Sequence, residues 1–585
     1  MGRKRKLLGA SASCEAQGNC SECVMSDRFS DLPDEVAHHI LSLLTFKDLT
    51  RVGAVSKRCR QLHLSVPVVD FRSHWHWLGR RENYLHNLRL MSSMERYLLC
   101  RGDNRMQRFC MDWNFFLTRR ATQDYFRVIT WIHNALRCNV EELDLCISGV
   151  PSFSLPPFLP QSLRSLSVRL SMVIFKTPSL SIPSNLRYLK LVLVKIEDER
   201  FFKWITCCCK CIKQLELVDI QGIRNITIES SSLEYFHGFI QNDILHVNIS
   251  GEKLEGIDIC LWFRRYQETS SNSLKIFAPN LKNLNWNSSN GRYSPNLGKL
   301  KSLEKVQLFL DPRVNELDKV LCNICSAKDL IINERTIKAI FKDGSTAVPI
   351  LDNICNLTVH FTGLNDDLAP AVAFLLKGMP NLNFLSMKTT SSLSRDAQTS
   401  ACFGIEYWKL QNLAFLHQLK EVTIEYPDNV SNELEFARYI LEHAQNLKKM
   451  VNLLNFEDTQ FKVVARMAFK EGSMAAPRLD NICKLKAWTR NLNEDLVPAL
   501  ASGFGTEFWK MQNLAFVHQL EEVTIGHCEG SNRTDFARYI LEHAQNLKKM
   551  VFPLTGVRYQ SKAEAEIVRM SRSKMISAST VIIRK

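Results

Sequence analysis

Seven cysteines form the two groups in this sequence that could bind a metal: Cys14, Cys20, Cys23, Cys207, Cys208, Cys209 and Cys211. Thiolates in a C-x-x-C pattern hold zinc when a second pair follows at a suitable distance. Cys20 and Cys23 have no such second pair nearby, and adjacent cysteines on one helix point in different directions. We therefore expect no metal and no other cofactor, and we interpret the second group as small side chains on the convex side of a repeat.

Catalytic motifs are likewise missing from the sequence. There is no G-x-x-x-x-G-K-S/T phosphate loop, no H-E-x-x-H and no G-x-S-x-G. His38 and His39 fall within a predicted helix, where a general base would have no partner. The sequence therefore predicts a binding protein with no catalytic residues.

Composition limits the classes of partner. The chain has 585 residues, which indicates several domains or a repeat array. Its net charge is +15, and its basic residues are interleaved with acidic ones. Such a dispersed excess argues against nucleic acid, and the lack of a long apolar run argues against a membrane span. The N-terminus has no secretory signal, which predicts a nuclear or cytoplasmic protein with reduced thiols. The basic cluster from Arg3 to Lys6 is a candidate import signal.

Residues 31–62 read "DLPDEVAHHILSLLTFKDLTRVGAVSKRCRQL" and predict three short helices, at about 33–44, 47–53 and 56–62. Pro33 suits a first helical turn, and Ser56 is a suitable N-cap for the third helix. The apolar residues lie on more than one side of these helices, and so short a segment cannot bury them alone. We expect part of this apolar surface to be covered by a partner.

This segment resembles the F-box of the plant F-box proteins that carry leucine-rich repeats and a C-terminal FBD region. The resemblance implies docking on a Skp-type adaptor and, through it, on the cullin and RING subunits of a ubiquitin ligase. Cys59 stands where the family usually has tryptophan, so the packing there is weaker or compensated elsewhere. The residues expected to bind the adaptor are Leu32, Pro33, Ile40, Leu41, Leu44, Leu49, Val52 and Val55.

Leucine-rich repeats follow the F-box segment. Their starts are separated by 20 to 30 residues or so, as is typical of this class of repeat. Each "L-x-L" predicts a short strand with inward leucines, and stacked strands predict a solenoid with a parallel sheet on its concave side. Residues 72–137 are expected to form a degenerate first repeat that caps the solenoid. The repeats begin at Val140, Leu163, Leu186, Ile212, Leu233, Leu254, Leu281 and Leu303.

Two rows of outward positions on these strands are the predicted concave surface. Most of their residues are polar, which suits either a soluble sheet or a binding surface for a target protein. No single position stands out from the others. The candidate target-binding residues are Asp144, Ser167, Tyr188, Lys190, Gln214, Glu216, Tyr235, His237, Asp258 and Asn285.

The C-terminal part of the chain contains a duplication. "FARYILEHAQNLKKMV" occurs at 436–451 and again at 536–551, whereas "FKDGSTAVPILDNIC" at 341 returns at 469 as "FKEGSMAAPRLDNIC". The second copy has therefore lost a stretch that corresponds roughly to residues 378–402. Both copies resemble the FBD region, and we expect them to extend the solenoid as strand and helix units.

The sequence thus predicts an α/β chain: a three-helix F-box followed by a leucine-rich-repeat solenoid that duplicated FBD units extend. The function implied is substrate recognition in an SCF-type ligase that directs ubiquitination and proteasomal degradation. Alternatives are a receptor for a small molecule or inositol phosphate, and a scaffold outside any ligase. The predicted domains are a basic tail (1–26), the F-box (27–71), the solenoid with N-terminal capping helices (72–334), the last repeats with the first FBD copy (335–455), and the second FBD copy with a tail (456–585).

Overall fold

A computed structural model describes most of the chain between residues 29 and 454 and four short stretches beyond it. The predicted tail 1–26, with its basic cluster, lies outside the described residues. No helix among those described is long and apolar enough to cross a membrane. The described residues are 29, 31–72, 83–115, 121–149, 152–155, 159–180, 184–240, 244–262, 272–289, 293–311, 317–342, 350–390, 403–426, 431–454, 484–488, 518, 520–525, 539–552 and 581–584.

Three helices open the described fold, and they lie where the sequence predicts them. Thr45 accepts a hydrogen bond from the N–H of Asp48, and Ser56 accepts one from the N–H of Cys59. These bonds satisfy backbone donors that the first turn of a helix leaves free. The helices are α1 (Asp34–Ser42), α2 (Phe46–Val52) and α3 (Lys57–Ser65).

The parallel sheet begins inside the F-box segment, earlier than predicted. A three-residue strand after α3 pairs with a strand at residue 108, which pairs in turn with the first predicted repeat. Residues 72–137 therefore contribute a strand between two helices, and the edge of the sheet is formed by the tail of the F-box. The elements are β1 (Val68–Asp70), α4 (Asn83–Arg101), β2 (Arg108–Asn114) and α5 (Ala121–Arg137).

All eight predicted repeats form strands of one parallel sheet, and each strand starts two residues after the predicted repeat start. Glu142, Ser165, Tyr188 and Gln214 are direct partners in register, followed by Tyr235, and the same register continues to Lys305. The elements of this region are β3 (Glu142–Ser148), β4 (Ser152–Ser154), β5 (Ser165–Lys176), β6 (Tyr188–Lys195), α6 (Arg200–Cys208), β7 (Gln214–Val218), β8 (Asn225–Glu229), β9 (Tyr235–Ile240), β10 (His246–Ser250), β11 (Gly256–Trp262), β12 (Asn272–Phe277), β13 (Asn283–Ser289), β14 (Tyr293–Asn296) and β15 (Lys305–Phe309).

The convex side of the middle repeats carries strands, which the sequence analysis did not predict. β8, β10, β12 and β14 form a second parallel sheet of four strands. The interval between Leu186 and Ile212 holds α6, whereas each of the four intervals from Ile212 to Leu303 holds an extended return strand. The leucines and isoleucines of both sheets are buried in one continuous core.

A repeated side-chain bond joins neighbouring repeats. At nine places among the described residues, the residue immediately before the first apolar position of a repeat is Asn or Ser, and its side chain donates to a main-chain carbonyl of the preceding repeat at 2.6–3.1 Å. Each bond satisfies a carbonyl in the loop that leads into a strand. The donors are Ser162, Asn185, Ser232, Asn280, Ser326, Asn353, Asn381, Asn446 and Asn546.

The C-terminal units extend the same sheet, as the sequence predicts. Together with the strands of β1 to β15 other than β8, β10, β12 and β14, they make a sheet of 20 strands among the described residues. The elements are α7 (Leu317–Asn323), β16 (Asp329–Asn333), α8 (Glu334–Lys342), β17 (Asn356–Phe361), α9 (Leu368–Lys377), β18 (Phe384–Thr389), α10 (Ile405–Leu410), a 3-10 turn (Ala414–His417), β19 (Glu421–Tyr426), α11 (Ser431–His443), β20 (Lys449–Leu454), β21 (Lys484–Trp488), β22 (Glu522–Ile525), β23 (Lys549–Phe552) and β24 (Val581–Arg584).

The stretch that the second copy lacks corresponds to one whole strand. In the first copy β17 pairs with β18 and β18 pairs with β19. In the second copy β21, the counterpart of β17, pairs directly with β22, the counterpart of β19. The deletion therefore removed the counterpart of β18 and left the sheet continuous and in register.

The FBD helix α11 is fixed to the preceding repeats at its N-terminal turn. The side chain of Asn432 donates to the carbonyl of Leu364 at 2.7 Å, and the N–H of Leu364 donates to Glu433 Oε1. Phe436 and Ile440 are buried in the middle of the helix, and the side chain of Arg438 is only 12% exposed and pairs with Glu435 at 2.7 Å.

Removing one inter-repeat bond should lower stability modestly. In Asn381→Ala the carbonyl of Asp352 loses its donor, so we expect the free energy of unfolding to fall by about 1 kcal/mol. Urea denaturation of the purified chain measures the change. Asp352→Ala is the matched control, because it removes an exposed side chain and keeps the accepting carbonyl. Equal effects of the two substitutions would contradict a role for the bond.

Glu433 should make stability depend on pH. Burial raises the pKa of Glu433 from 4.5 to about 7, so the folded chain binds this proton more tightly than the unfolded chain. The contribution of the protonated Glu433 side chain to stability is therefore fully present below pH 4.5 and is lost as the pH rises through 7. The side chain of the Glu433→Gln variant does not titrate and so does not cause this loss. The free energy of unfolding of the variant, relative to that of the wild type, should therefore increase by on the order of 3 kcal/mol from pH 5 to pH 8.

Thermal melts at these two pH values test the expectation. Glu442→Gln is the control because it neutralises an exposed carboxylate near the other end of the same helix. If wild type and Glu433→Gln show the same pH dependence, Glu433 does not titrate in this range.

Candidate functional site

Helix α1 carries apolar side chains on two adjoining faces. Ala37 and Leu41 point inward and are 0% and 1% exposed. Val36, Ile40 and Leu43 lie on the other face and are 45%, 39% and 76% exposed. These three residues recur at helical spacing, so they form one apolar stripe that begins at the exposed Pro33. We call Pro33, Val36, Ile40 and Leu43 the outer stripe.

The residues predicted to bind the adaptor divide between this surface and the interior. Pro33, Ile40 and Val55 are exposed, whereas Leu32, Leu44 and Val52 are partly buried against the F-box core. Leu41 and Leu49 are buried in that core with Ala37, Leu62 and Val66. The side chains of Leu41 and Leu49 face the other helices, so in the free chain both support the surface from within; their contact with an adaptor remains a prediction.

The F-box packs firmly on the solenoid. The ring of Phe46 lies 4.5 Å from that of Phe71 and 5.4 Å from that of Tyr97, in edge-on contacts. The guanidinium of Arg58 donates to the carbonyl of Leu32 and to Asp34, which holds the start of α1 against α3. These contacts leave the outer stripe free of the repeat array. Cys59, where the family usually has tryptophan, is buried.

The concave face is formed by the two predicted rows of outward side chains. Direct register partners include Asp144 with Ser167, Ser167 with Lys190, and Lys190 with Glu216. Further along, Glu216 faces His237, His237 faces Asp258, and Asp258 faces Asn285. The register therefore places the candidate target-binding residues side by side on one continuous surface.

Charged groups on this surface are mutually paired. Lys190 Nζ lies 2.8 Å from Glu216 Oε2, and the hydroxyl of Tyr188 donates to the same carboxylate at 3.1 Å. Partial burial acts to raise the pKa of Glu216, but its hydrogen bonds and the charge of Lys190 hold that pKa below its usual value. Gln214 also donates to Glu216 at 2.8 Å. Glu216 is thus the centre of an ordered polar cluster.

A second pair joins the neighbouring strands β9 and β11. His237 Nδ1 lies 2.9 Å from Asp258 Oδ2, and the hydrogen bond raises the pKa of His237 above its ordinary value. At the other end of the face, Arg72 reaches Asp144 at 3.0 Å and also pairs with Asp70. Arg72 therefore ties the tail of the F-box to the first repeats.

A cavity of about 390 Å³ opens on the concave face around Gly256. The glycine leaves room there, since an added Cβ would meet the ring of Tyr235 at 2.7 Å. The side chain of Asn285 lines the cavity, and its Oδ1 is sheltered and has no hydrogen-bond partner. The other lining residues are Gln214, Phe236, His237, Ile257, Asp258, Asn283, Leu284, Lys305 and Gln307.

Sequence reasoning missed two parts of these surfaces. Val36 and Leu43 belong to the outer stripe but are not among the residues predicted to bind the adaptor, although helical spacing could have identified them. On β11 the outward positions continue past Asp258 to Cys260 and Trp262, and Trp262 is 51% exposed. The alternation of inward and outward side chains that predicts the first two rows could also have identified the outward positions of Cys260 and Trp262.

The clustered cysteines do not form a common site. Cys208 and Cys209 are buried, as the sequence suggested, whereas Cys207 and Cys211 are exposed. Among the described residues no group of three or more histidines, cysteines or carboxylates is placed to hold a metal ion. Cys14, Cys20 and Cys23 lie outside the described residues.

Comparison with known proteins matches both ends of the described fold. An F-box-like family model covers residues 29–65, which contain the three N-terminal helices, and an FBD model covers residues 414–451, which contain β19 and α11. The domain limits proposed from the sequence remain predictions.

Relatives of similar length cover most of the chain. A putative F-box/FBD/LRR-repeat protein of Arabidopsis thaliana is 26% identical over 488 residues, which is 77% of this chain and 94% of the relative. An FBD-associated F-box protein of the same plant is 23% identical over 74% of this chain and 91% of its own length. F-box/LRR-repeat protein 13, also from Arabidopsis thaliana, is 24% identical over 78% of this chain and 96% of its own length.

The N-terminal helices, the parallel repeat sheet and the strand and helix unit at its end correspond to the three parts that these relatives are named for. The chain thus contains an F-box-like segment and an FBD segment, and in the order of its parts it is similar to the F-box proteins that carry leucine-rich repeats and an FBD region.

Proposed function

We propose that this chain is the substrate-recognition subunit of an SCF-type ubiquitin ligase. The outer stripe binds a Skp-type adaptor, which connects the chain to cullin and RING subunits. The concave face binds a target protein, which is then ubiquitinated and degraded. In this role the chain supplies binding surfaces and no catalytic residue.

The observation that carries the proposal is the exposure of the outer stripe. Leu43 is 76% exposed and Val36 is 45% exposed on a helix whose other apolar face is fully buried. A contiguous apolar stripe on a soluble domain favours a protein partner. The packing of Phe46 on Phe71 and Tyr97 means that this partner would be held rigidly to the repeats.

In this role the chain increases the rate of ubiquitination by positioning the target. A target held on the solenoid stays close to a ubiquitin-charged enzyme that other subunits supply, so its lysines react at a high effective concentration. A stiff connection between the two surfaces increases this effect, because fewer orientations are sampled.

The inositol-phosphate receptor is less well supported than a protein-binding subunit. Polyphosphates require several unpaired cations, whereas Lys190 is already paired with Glu216. The cavity around Gly256 is lined by a single lysine, Lys305, together with Asp258, His237, and amide, aromatic and apolar side chains. A scaffold outside any ligase would need no adaptor, so adaptor binding distinguishes it from the proposal.

Adding charge to the outer stripe should abolish adaptor binding. In the double variant Ile40→Glu and Leu43→Glu, two carboxylates would have to be buried against the adaptor, so we expect the affinity to fall at least 100-fold, or about 3 kcal/mol. Co-expression with a Skp-type adaptor, followed by affinity purification and titration calorimetry, measures the loss. Both side chains are exposed in the free chain, so the fold should persist.

Leu99→Glu is the matched control because Leu99 is 74% exposed on α4, outside the F-box. It should bind the adaptor like the wild type. Undiminished adaptor binding by the Ile40 and Leu43 double variant, or no binding by the wild type, would refute the proposed function. The double variant at Ile40 and Leu43 tests the outer stripe more specifically than a substitution of Leu32 would, because Leu32 also packs on the F-box core.

A further inference from the structure

Two neighbouring strands of the concave sheet carry small outward side chains at three successive outward positions. On β11 these are Gly256, Asp258 and Cys260, and on β13 they are Asn283, Asn285 and Asn287, in direct register. Larger residues stand on the strands at either side. Those on β9 are Tyr235, His237 and Phe239, and those on β15 are Lys305, Gln307 and Phe309.

This difference in side-chain size makes a trough that runs along the strands. Its two walls are three strand spacings apart, which is about 14 Å. The cavity around Gly256 is the deepest part of the trough, and its floor includes Ile257 and Leu284. At the other end Trp262, which is 51% exposed, is the next outward residue of β11 after Cys260.

The asparagines on β13 have the period of an extended peptide. Asn283, Asn285 and Asn287 are two residues apart, so their spacing is about 6.6 Å, which is also the repeat of a peptide in β conformation. A primary amide both donates and accepts, so each can bond one peptide group of a parallel chain. Turning the amide of Asn285 toward such a group would also satisfy an oxygen that has no partner in the free chain.

The charges in the trough indicate what kind of side chain it accepts. Asp258 is already paired with His237 at 2.9 Å, and Glu216, beside the trough, is paired with Lys190. A charge placed beside Asp258 or Glu216 would therefore have to compete with an existing pair. The exposed rings of Tyr235 and Trp262, by contrast, offer apolar surface at both ends.

We propose that the trough binds an extended, uncharged segment of a partner protein, about five residues long. The asparagines on β13 bond its main chain, and one uncharged side chain fills the cavity over Gly256. The inference rests on the proposed function in that the segment would belong to the target. An extended segment fits better than a small molecule because the trough is open along its length, whereas small-molecule sites enclose most of their ligand.

Random linear peptides of 12 residues displayed on phage are the probe. They are selected against the immobilised full chain, and enriched peptides are synthesised and titrated by fluorescence polarisation. Gly256→Phe fills the cavity, and Asn285→Leu removes one amide at nearly constant volume. We expect each variant to bind the enriched peptides at least 10-fold more weakly than the wild type does, a loss of about 1.4 kcal/mol.

Ser165→Phe is the matched control, because Ser165 occupies the same outward row as Gly256 on β5, outside the trough. It should leave peptide binding unchanged, and melting curves should show that all three variants fold. Three outcomes overturn the inference: no peptide is enriched, enriched peptides bind Gly256→Phe as tightly as the wild type, or native mass spectrometry finds a small molecule that Gly256→Phe excludes.

Adaptor binding is measured on the same three variants, which keeps the two proposals separate. All three should retain the adaptor, since their substitutions are far along the sheet from α1. Loss of peptide binding with adaptor retained is the expected result for the two trough variants. A wild-type chain that binds peptides in the trough but no adaptor would leave this inference standing and refute the ligase assignment.

Discussion

No single repeat of this chain can bury its own leucines. A strand of five to eight residues exposes one apolar side, and it becomes part of a core only when its neighbours continue that side in register. The strands of the concave sheet from β3 to β15 start in one register, with a single irregularity between Arg169 and Val173 in the pairing of β5 with β6. A side-chain bond from Asn or Ser links one repeat to the one before it at nine places among the described residues. The concave surface depends on this stacking, because it fixes which side chains face outward together.

Stacking explains why much of the fold could be predicted. Alternation of inward and outward side chains is a local property, so "L-x-L" spacing was enough to predict the strand starts and the two outward rows. The F-box helices are equally local, since Ser56 caps its helix through its own side chain. The duplication predicted that the C-terminal units extend the sheet, and the direct pairing of β21 with β22 shows why the shorter copy still fits.

Other features are decided by distant contacts. A three-residue strand such as Val68–Asp70 has no pattern of its own and exists because β2 lies beside it. The motif at the F-box contains both Leu41 and Ile40, and only the packing of the three helices shows that one is buried and the other exposed. Glu433 looks like a solvated residue in a helix, yet Leu364, far away in sequence, places it in the interior.

Because β1 comes from the tail of the F-box, distances along the sheet are fixed relative to the F-box. β11 lies seven strand spacings beyond β1, roughly 34 Å along the sheet. Gain or loss of one strand between them would shift a protein bound at β11 by about 5 Å relative to the F-box. Insertions and deletions beyond β15 do not change the distance from β1 to β11. The loss of the counterpart of β18 is such a change.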